Sequence, residues 1–379
     1  MARNTRTNIL VKERKTLPIV FLIIRLLLAA VFIFSGFVKA IDPLGGAYKI
    51  GDYLVAFGDF WTSFKPLSLV FAIALSTIEL VIGLCLLFNT QIKKTSLIAF
   101  LFMCVMTPLT LYIAIANPVT DCGCFGEALV ISNQATFIKN IFLFLMTLAL
   151  FIYSKRSYPI FLPKIEWSLV GIFTLISVAL SVYCYEYLPF IDFLPYKKGV
   201  NIPEAMSIPE GAPRDVFETT FIYEKEGAQQ EFTLENYPKN DSTWIFVDQK
   251  SVLVSKGYEA PIHNFSITNS DYDEITDEII YHEGNVYLLV MYDLSKTSEK
   301  GAKRAEEVYQ RALTKGDLFY ALTSSSREEV QEFTQRTGVT YPFCEGDPTT
   351  LKSMIRSNPG LILITNGNIV DKKPWRKIN

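Results

Sequence analysis

Five long apolar segments in the first half of the chain constrain its fold more than any other feature. Each is about 20 residues long, enough for a helix to cross a hydrocarbon core of about 30 Å. The chain has 379 residues, and its long polar stretches follow residue 190. The sequence therefore predicts an α-helical membrane bundle, residues 17–190, followed by a water-exposed part. The predicted spans are Leu17–Lys39, Leu67–Thr90, Ser96–Ala116, Thr136–Tyr153 and Ser168–Leu188.

Basic residues outside the spans predict the orientation of the bundle. They precede the first span and occupy the second and fourth loops, which share one side if the chain crosses five times. The positive-inside rule makes that side cytoplasmic. We therefore expect a bacterial inner-membrane protein with a basic cytoplasmic N-terminus, residues 1–16, and a periplasmic C-terminal part. These basic residues are Arg3, Arg6, Lys12, Arg14, Lys15, Lys93, Lys94, Lys155, Arg156 and Lys164.

Composition narrows the class of partner. The net charge of −2 is close to zero and argues against a nucleic-acid partner. Six cysteines in a chain of this length do not make a disulfide-stapled scaffold. The expected partners are the lipid bilayer and a periplasmic protein, either a client or a member of the same complex.

Two charged residues lie inside the first two predicted spans. Arg25 lies about 12 Å into the first span, and Glu79 lies about 16 Å from the cytoplasmic end of the second. An unpaired charge at such a depth is costly, so we expect these residues to pair with each other. The pair is interpreted as a structural ion pair or as a proton or quinone site. The structural interpretation is favoured because these two spans contain no second acidic residue.

The loop after the third span contains the strongest candidates for reactive residues in the chain. Cys122 and Cys124 flank a single glycine on the predicted outer side, where thiols meet an oxidising environment. A disulfide between residues two apart departs from relaxed geometry, and strained, exposed disulfides are the labile, catalytic kind. We therefore predict a thiol–disulfide exchange pair, with a structural bridge as the alternative. A metal site is disfavoured because it needs more ligands, and His263 and His282 are distant in sequence.

The other cysteines have weaker signals. Cys184 lies near the outer end of the fifth span, at the level of the cysteine loop, and is a candidate resolving thiol. Cys85 and Cys104 lie within apolar spans and are predicted to be small core residues. Cys344 belongs to the C-terminal part, where a core position is favoured over a role as a single reactive thiol.

Aromatic residues crowd the loop between the first two spans, from Tyr48 to Phe64. Aromatic side chains prefer the interface between membrane and water. We therefore expect a short amphipathic helix on the outer surface, beside the cysteine loop.

The membrane part resembles the DoxX superfamily, in its branch of MauE-like methylamine-utilisation proteins. The resemblance covers about residues 15–155 and implies a four-helix membrane core, to which the fifth span is an addition. It also implies support of disulfide formation or of the maturation of periplasmic partners, and it suggests a quinone as a cofactor. The residues that carry it are Arg25, Phe34-Ser35-Gly36-Phe37-Val38-Lys39, Asp42-Pro43, Glu79, Gly83 and Asp121-Cys122-Gly123-Cys124-Phe125-Gly126.

The C-terminal part divides into a connector, residues 191–256, and an α/β domain, residues 257–379. In the connector, Phe217–Tyr223 and Thr243–Val247 have the pattern of short strands. Beyond it, apolar strands alternate with amphipathic helices, which predicts a mixed sheet flanked by helices. The predicted strands are Val286–Tyr292, Phe319–Thr323, Leu361–Thr365 and Asn368–Val370, and the helices are Glu299–Leu313 and Arg327–Thr337.

The α/β domain resembles thioredoxin-like proteins of the TlpA or peroxiredoxin-like form. Gly257–Ile267 is similar to the first segment of that group, and Ser357-Asn358-Pro359 matches the position of its cis-proline. After Met291-Tyr292-Asp293, a redox-active member would show Cys-x-x-Cys. Here the chain reads Leu294-Ser295-Lys296-Thr297-Ser298, and hydroxyl groups cannot perform thiolate exchange. The resemblance therefore implies a domain without its own redox pair.

These features lead to two functional hypotheses. The first is an inner-membrane protein, a thiol–disulfide oxidoreductase or maturation factor, that acts on exported proteins through Cys122 and Cys124. The second is a non-catalytic membrane scaffold whose thioredoxin-like domain binds a periplasmic partner. A transporter is disfavoured because the sequence lacks inverted repeats and broken helices.

Overall fold

A computed structural model describes residues 2–118, 123–154, 160–239, 241–255 and 257–379, without the side chains of residues 2–18 and 253. Within this part of the chain, five helices are long and apolar enough to cross a membrane, as predicted. They are α1, α4, α5, α6 and α7. The helices of this half are α1 (Ala2–Ile41), α2 (Pro43–Ala56), α3 (Asp59–Thr62), α4 (Ser68–Leu87), α5 (Ile92–Ala116), α6 (Asn133–Ser154) and α7 (Pro163–Tyr187).

The spanning helices agree with the predicted spans, and α5 and α7 begin several residues earlier than predicted. Their first turns contain Lys93, Lys94 and Lys164. Long basic side chains can keep their charge in the interface while their stems cover apolar surface, so they do not end a helix. Pro163 occupies the first turn of α7, a position where proline is tolerated.

Helices α1 and α4 pack backbone against backbone at two glycines. A Cβ atom on Gly36 would lie 2.4 Å from the backbone nitrogen of Leu80. A Cβ atom on Gly83 would lie 2.6 Å from the backbone nitrogen of Ile33. Small residues allow this close approach in membrane bundles. The two contacts fix the register of the antiparallel pair and place Glu79 beside the last two turns of α1.

The aromatic loop forms α2 and α3. Helix α2 begins at Asp42, whose carboxylate accepts a hydrogen bond from the Gly45 amide at 2.9 Å. Pro43 follows in the first turn, where its missing N–H is not needed. Helix α2 contacts α4, α7 and a 3-10 turn at Gly126–Ala128, which directly follows the cysteine loop. A short helix is therefore present beside that loop, and its place at the membrane interface stays a prediction.

A small antiparallel sheet extends from the connector, with the strand order β2-β1-β3. Strand β1 contains the predicted strand Phe217–Tyr223, and β3 begins within the predicted strand Thr243–Val247 and extends beyond it. Strand β2 was not predicted because its polar sequence lacks a clear alternation. The short helix α8 (Ile202–Met206) precedes this sheet. Its strands are β1 (Val216–Lys225), β2 (Ala228–Thr233) and β3 (Ile245–Ser255).

The C-terminal domain contains a six-stranded mixed sheet with the order β4-β7-β6-β5-β8-β9. Strands β5, β6 and β7 are parallel, whereas β4, β8 and β9 pair antiparallel with their neighbours. The elements are β4 (Ile267–Thr268), α9 (Thr276–Ile280), β5 (Asn285–Val290), α10 (Glu299–Lys315), β6 (Leu318–Thr323), α11 (Arg327–Thr337), β7 (Phe343–Gly346), α12 (Pro348–Met354), β8 (Gly360–Thr365) and β9 (Asn368–Pro374).

This topology confirms the predicted α/β domain that resembles a thioredoxin-like fold. The βαβ unit of β5, α10 and β6 lies at the centre, and the predicted cis peptide joins Asn358 to Pro359 just before β8. Four short elements, β4, α9, β7 and α12, were not predicted because they are too brief to show a periodic pattern. Tyr196 and Ile202, assigned to the connector from the sequence, are buried in the core of this domain.

Candidate functional site

The described part of the cysteine loop, from Gly123 onward, packs against the end of the bundle. Cys122 lies outside the described residues. Cys124 is 8% exposed and packs against Ile113, with Tyr53 and Leu109 nearby. Gly123 and Gly126 adopt positive φ angles of 63° and 53°, a conformation that glycine tolerates best. The sequence suggested an exposed pair, and the structure instead buries the second cysteine under apolar side chains.

A polar network holds the backbone of Cys124. The Ser35 hydroxyl oxygen lies 2.8 Å from the carbonyl oxygen of Cys124 and 2.6 Å from Oε2 of Glu79. The Nζ atom of Lys39 donates to Oε1 of Glu79 at 2.6 Å. Because a serine hydroxyl has one proton, Ser35 donates to only one of its two acceptors at a time. The network therefore links the backbone of the cysteine loop to Glu79 and Lys39.

The predicted pair between Arg25 and Glu79 does not form among the described residues. Glu79 is bound by Lys39 and Ser35, while Nε and Nη1 of Arg25 are buried without a hydrogen-bond partner there. The glycine contacts explain the difference, because they align Glu79 with the far end of α1. Arg25 lies ten residues before Ser35, which is about 15 Å along the helix. Counting residues from the ends of the two spans gave the wrong partner, because α1 and α4 do not begin and end at the same depth in the bundle.

A small cavity lies beside this network. It is lined by Ser35, Lys39, Glu79, Cys124, Lys139 and apolar residues of α1, α5 and α6, and its volume is about 30 Å³. That volume holds one or two water molecules and is far too small for a quinone ring. The residues around Glu79 therefore do not fit a quinone in this structure, and no chemical step is assigned to one.

Lysine side chains surround the loop. Nζ of Lys139 lies 4.1 Å from the centre of the Phe125 ring, and Lys139 lines the same cavity as Cys124. The stem of Lys49 lies against Gly123, with its Cγ atom 3.3 Å from where a Cβ would be. The ammonium group of Lys39 is paired with Glu79, so among these lysines Lys139 is the one whose ammonium is placed beside the loop without a described carboxylate partner. Cationic groups of this kind stabilise a nearby thiolate.

The soluble domain docks on the bundle beside the same loop. The guanidinium group of Arg356 forms a bidentate ion pair with Asp42, with N–O distances between 2.9 and 3.1 Å. Its Nη2 atom also lies 3.9 Å from Oε1 of Glu127, three residues after Cys124. Burial alone would lower the pKa of Arg356, but the charge and hydrogen bonds of Asp42 offset that effect and raise it. The guanidinium group is therefore a fixed cation between the two domains.

The segment Leu294–Ser298 and the cis-proline lie next to each other in the soluble domain. The Thr297 hydroxyl lies within hydrogen-bond distance of Oδ1 of Asn358, at 2.9 Å. Asn358 precedes the cis-proline and donates through Nδ2 to the carbonyl of Asp293 at 2.7 Å. Just after β5, the ring of Tyr292 packs edge-on against the ring of Tyr48 in α2, with the ring centres 6.4 Å apart.

The remaining cysteines are placed as follows. Cys184 is 1% exposed near the end of α7 and forms no disulfide within the described part of the chain. Cys85 is buried in α4, and Cys104 is partly buried in α5. Cys344 is buried in the core of the soluble domain, in agreement with the favoured core interpretation. The structure thus brings Cys124 together with Glu79 and not with Arg25.

Sequence reasoning missed the roles of several residues at this site. Ser35, Lys39 and Asp42 were noted only as part of a motif, and Arg356 was not noted at all. Arg356 follows the buried residues Met354 and Ile355 at the end of α12 and comes three residues before the cis-proline, and this position was the only local signal. Its partner is 314 residues away in sequence, so no local pattern could have identified the pair.

Comparison with known proteins gives matches for two separate stretches of the chain. Residues 17–153 match the family of the methylamine utilisation protein MauE, and residues 217–256 match a domain of unknown function, DUF8463. No curated protein matches the chain in sequence. Among solved structures, the chain is similar to "a putative protein disulfide isomerase from Bacteroides thetaiotaomicron". The identity is 19% and the TM-score 0.26, over 30% of this chain and 76% of that one.

The observed elements and the partial family match together describe the two halves of the chain. Residues 17–153 are similar to MauE, and the chain combines five helices that are long and apolar enough to cross a membrane with a C-terminal α/β domain that resembles a thioredoxin-like fold.

Proposed function

We propose that this protein supports thiol–disulfide chemistry on exported proteins through the loop that contains Cys122 and Cys124. The observation that carries the proposal is the docking of the soluble domain by Arg356 onto Asp42 and Glu127, directly beside that loop. A client bound to the soluble domain would be held within reach of the two thiols. The similarity of residues 17–153 to MauE supports a role of this kind.

The proposed reaction is an exchange between two thiol pairs. A client thiolate attacks one sulfur of an oxidised Cys122–Cys124 pair and forms a mixed disulfide, which the second client thiol resolves. The client loses two electrons and two protons, and the pair gains them as two thiols. A second protein that carries a disulfide would oxidise the pair again by the same exchange. The lysines near the loop support the proposal because they favour the thiolate form of a departing cysteine.

The orientation is part of the proposal. Lys93, Lys94 and Lys164 lie at the starts of α5 and α7, at the end of the bundle opposite the soluble domain. Under the positive-inside rule this end is cytoplasmic, and the soluble domain is then periplasmic in a bacterial inner membrane. The oxidising side of the membrane would therefore be the side of the cysteine loop.

Single and double cysteine variants test the reaction. Cys122→Ser and Cys124→Ser each leave one thiol, and one of them should accumulate mixed disulfides with exported proteins. These adducts are trapped by acid and alkylation in intact cells and read on non-reducing gels. The double variant should show none, and Cys104→Ser, on a spanning helix away from the loop, should behave as wild type. If neither single variant forms an adduct and the double variant leaves client oxidation unchanged, the exchange reaction is wrong.

A non-catalytic scaffold is the second candidate. Two observations favour it: Cys124 is only 8% exposed, and the edge of the soluble domain carries hydroxyl groups in place of thiols. In this case the soluble domain binds a periplasmic partner and the loop only braces the bundle. The same variants separate the two functions, because a scaffold keeps its partner when both cysteines are replaced.

A further inference from the structure

A large cleft lies on the other side of the junction between the bundle and the soluble domain. Its volume is about 1270 Å³, which is ample for a lipid headgroup or a small ligand. The end of α7 and the segment after it form one wall, and β9 with the following C-terminal residues forms the other. Cys124 does not line it, and Arg356 is the one residue that it shares with the contact to Asp42 and Glu127.

The cleft carries more positive than negative charge. Its acidic residues Asp192 and Asp371 are already paired with Lys372 and Lys198, and Arg376 is paired with Glu186 at its edge. Four further basic residues line it, and none of these is in an ion pair with a described residue. The remaining acidic side chain in the cleft is that of Glu307, and the last residue, Asn379, also lines it. The four basic residues are Lys197, Arg304, Lys373 and Lys377.

A buried lysine inside the cleft, Lys372, shows the same excess of positive charge. Burial lowers the pKa of Lys372, Asp192 opposes the shift, and the positive charges of Arg356 and Lys198 add to it. Its side chain is 4% exposed, and its Nζ atom lies 2.5 Å from Oδ2 of Asp192. An anion placed in the cleft would therefore relieve repulsion among cations that the fold already holds together.

The position of the cleft identifies the source of such an anion. Tyr187 is the last residue of α7, and both Tyr187 and Phe190 line the cleft. They are 40% and 57% exposed, as is typical of aromatic residues at the headgroup level of a membrane. Nζ of Lys377 lies 5.5 Å from the centre of the Tyr187 ring, so a cation of the soluble domain reaches this level.

We propose that this cleft binds a phosphate group carried by the headgroup of an anionic phospholipid in the adjacent leaflet. The lipid tails would remain in the bilayer beside α7, and the phosphate would contact the basic residues of β9 and the C-terminal segment. Anionic lipid would then help to hold the soluble domain against the membrane, in addition to the ion pair between Arg356 and Asp42.

The test uses the full chain in nanodiscs that contain phosphatidylglycerol and phosphatidylcholine, with retained lipid measured by native mass spectrometry. Wild type should retain phosphatidylglycerol selectively. The double substitution Lys373→Gln and Lys377→Gln should weaken retention roughly thirtyfold, because each basic residue near an anionic lipid contributes about 1 kcal/mol. The matched control, Lys300→Gln with Lys303→Gln, changes two lysines of α10 that do not line the cleft and should retain lipid as wild type does.

Two results would overturn the proposal. Equal retention of phosphatidylglycerol by wild type and by the cleft variant would mean that the cleft is not the site. Binding of soluble glycerol phosphate that is lost in the variant, without selective retention of phosphatidylglycerol, would exclude the lipid as the source. Neither variant changes the cysteine loop. Either result therefore leaves the proposed thiol exchange untouched, and that exchange is tested separately by the cysteine variants.

Discussion

Cys124 and Cys344 are both buried, yet their surroundings differ. The backbone of Cys124 is held by Ser35 at the edge of a polar network. Cys344 lies among apolar side chains of β5, α12 and β8. Burial, together with the negative charge of Glu278, raises the pKa of the Cys344 thiol to about 12. Reactivity at the residue scale thus depends on the neighbours of a thiol as much as on its exposure.

Cys344 should therefore resist alkylation in the folded protein. In a variant that keeps only this cysteine, we expect the folded protein to be labelled by maleimide near pH 8 roughly a thousandfold more slowly than the protein unfolded in denaturant. The reason is that a thiol of pKa near 12 yields far less thiolate than an unfolded one of pKa near 8.5. Mass spectrometry of timed aliquots gives the two rates, and Cys344→Ser supplies the unlabelled control. Similar rates in the two conditions would contradict the buried position.

At the scale of the elements, the contact between α1 and α4 determines which polar groups meet. Gly36 and Gly83 bring the two backbones together, and this register aligns Glu79 with Ser35 and Lys39. Glu79 in turn supports the network under the cysteine loop. A helix pair held at a different register would leave a carboxylate without partners inside the membrane, which is costly.

A larger side chain at Gly36 should therefore disrupt the bundle. The Cβ atom of Gly36→Leu would overlap the backbone of Leu80, and backbone cannot move aside as a flexible side chain can. Overpacking typically costs about 1–3 kcal/mol, and a backbone clash should reach the upper end or exceed it. We expect a lower midpoint of thermal unfolding in detergent and a smaller monodisperse yield.

Gly171 on α7 is the matched control, because a Cβ there would have no neighbour within 4 Å. Gly171→Leu should unfold close to wild type. Equal stability of the two leucine variants would show that the close packing of α1 and α4 is not required.

At the scale of the whole molecule, a few ion pairs hold the soluble domain on the bundle. The pair of Arg356 with Asp42 is the most buried of them, with side-chain exposures of 6% and 17%. The pair of Lys372 with Asp192 ties β9 to the segment after α7. Breaking a buried pair leaves one charge without compensation, which costs more than the pair itself contributes.

Asp42→Asn should release the soluble domain while keeping α2 intact, because asparagine can also cap a helix. The stranded Arg356 should cost about 3–5 kcal/mol of docking free energy. We expect faster proteolysis and faster amide exchange in residues 188–201, measured by mass spectrometry in nanodiscs. Arg356→Lys should be intermediate, since lysine keeps the charge but loses the bidentate geometry.

Asp241 provides a matched control in an exposed ion pair. It pairs with Lys225 at 3.4 Å, and both side chains are more than a third exposed. Such pairs contribute about 0–1 kcal/mol, so Asp241→Asn should leave the protease pattern unchanged. An Asp42→Asn protein with the wild-type pattern would show that the two domains are held together by other contacts.

The amino-acid sequence by itself determined the elements whose signal is local. The five spans follow from length and hydropathy, the βαβ alternation from periodicity, and the cis-proline from its neighbours in a thioredoxin-like domain. All of these are present in the structure. The polar strand β2 and the elements of a few residues were not predictable, because they are too short or too polar to show a pattern.

Only the tertiary structure decided which distant residues meet. Glu79 pairs with Lys39 and not with Arg25, because two glycine contacts set a register that counting from the span ends does not reveal. Cys124 is buried, because the loop turns inward under the bundle. Arg356 reaches Asp42 across most of the chain. Such contacts depend on how packed surfaces fit together, which hydropathy and spacing along a single strand or helix do not specify.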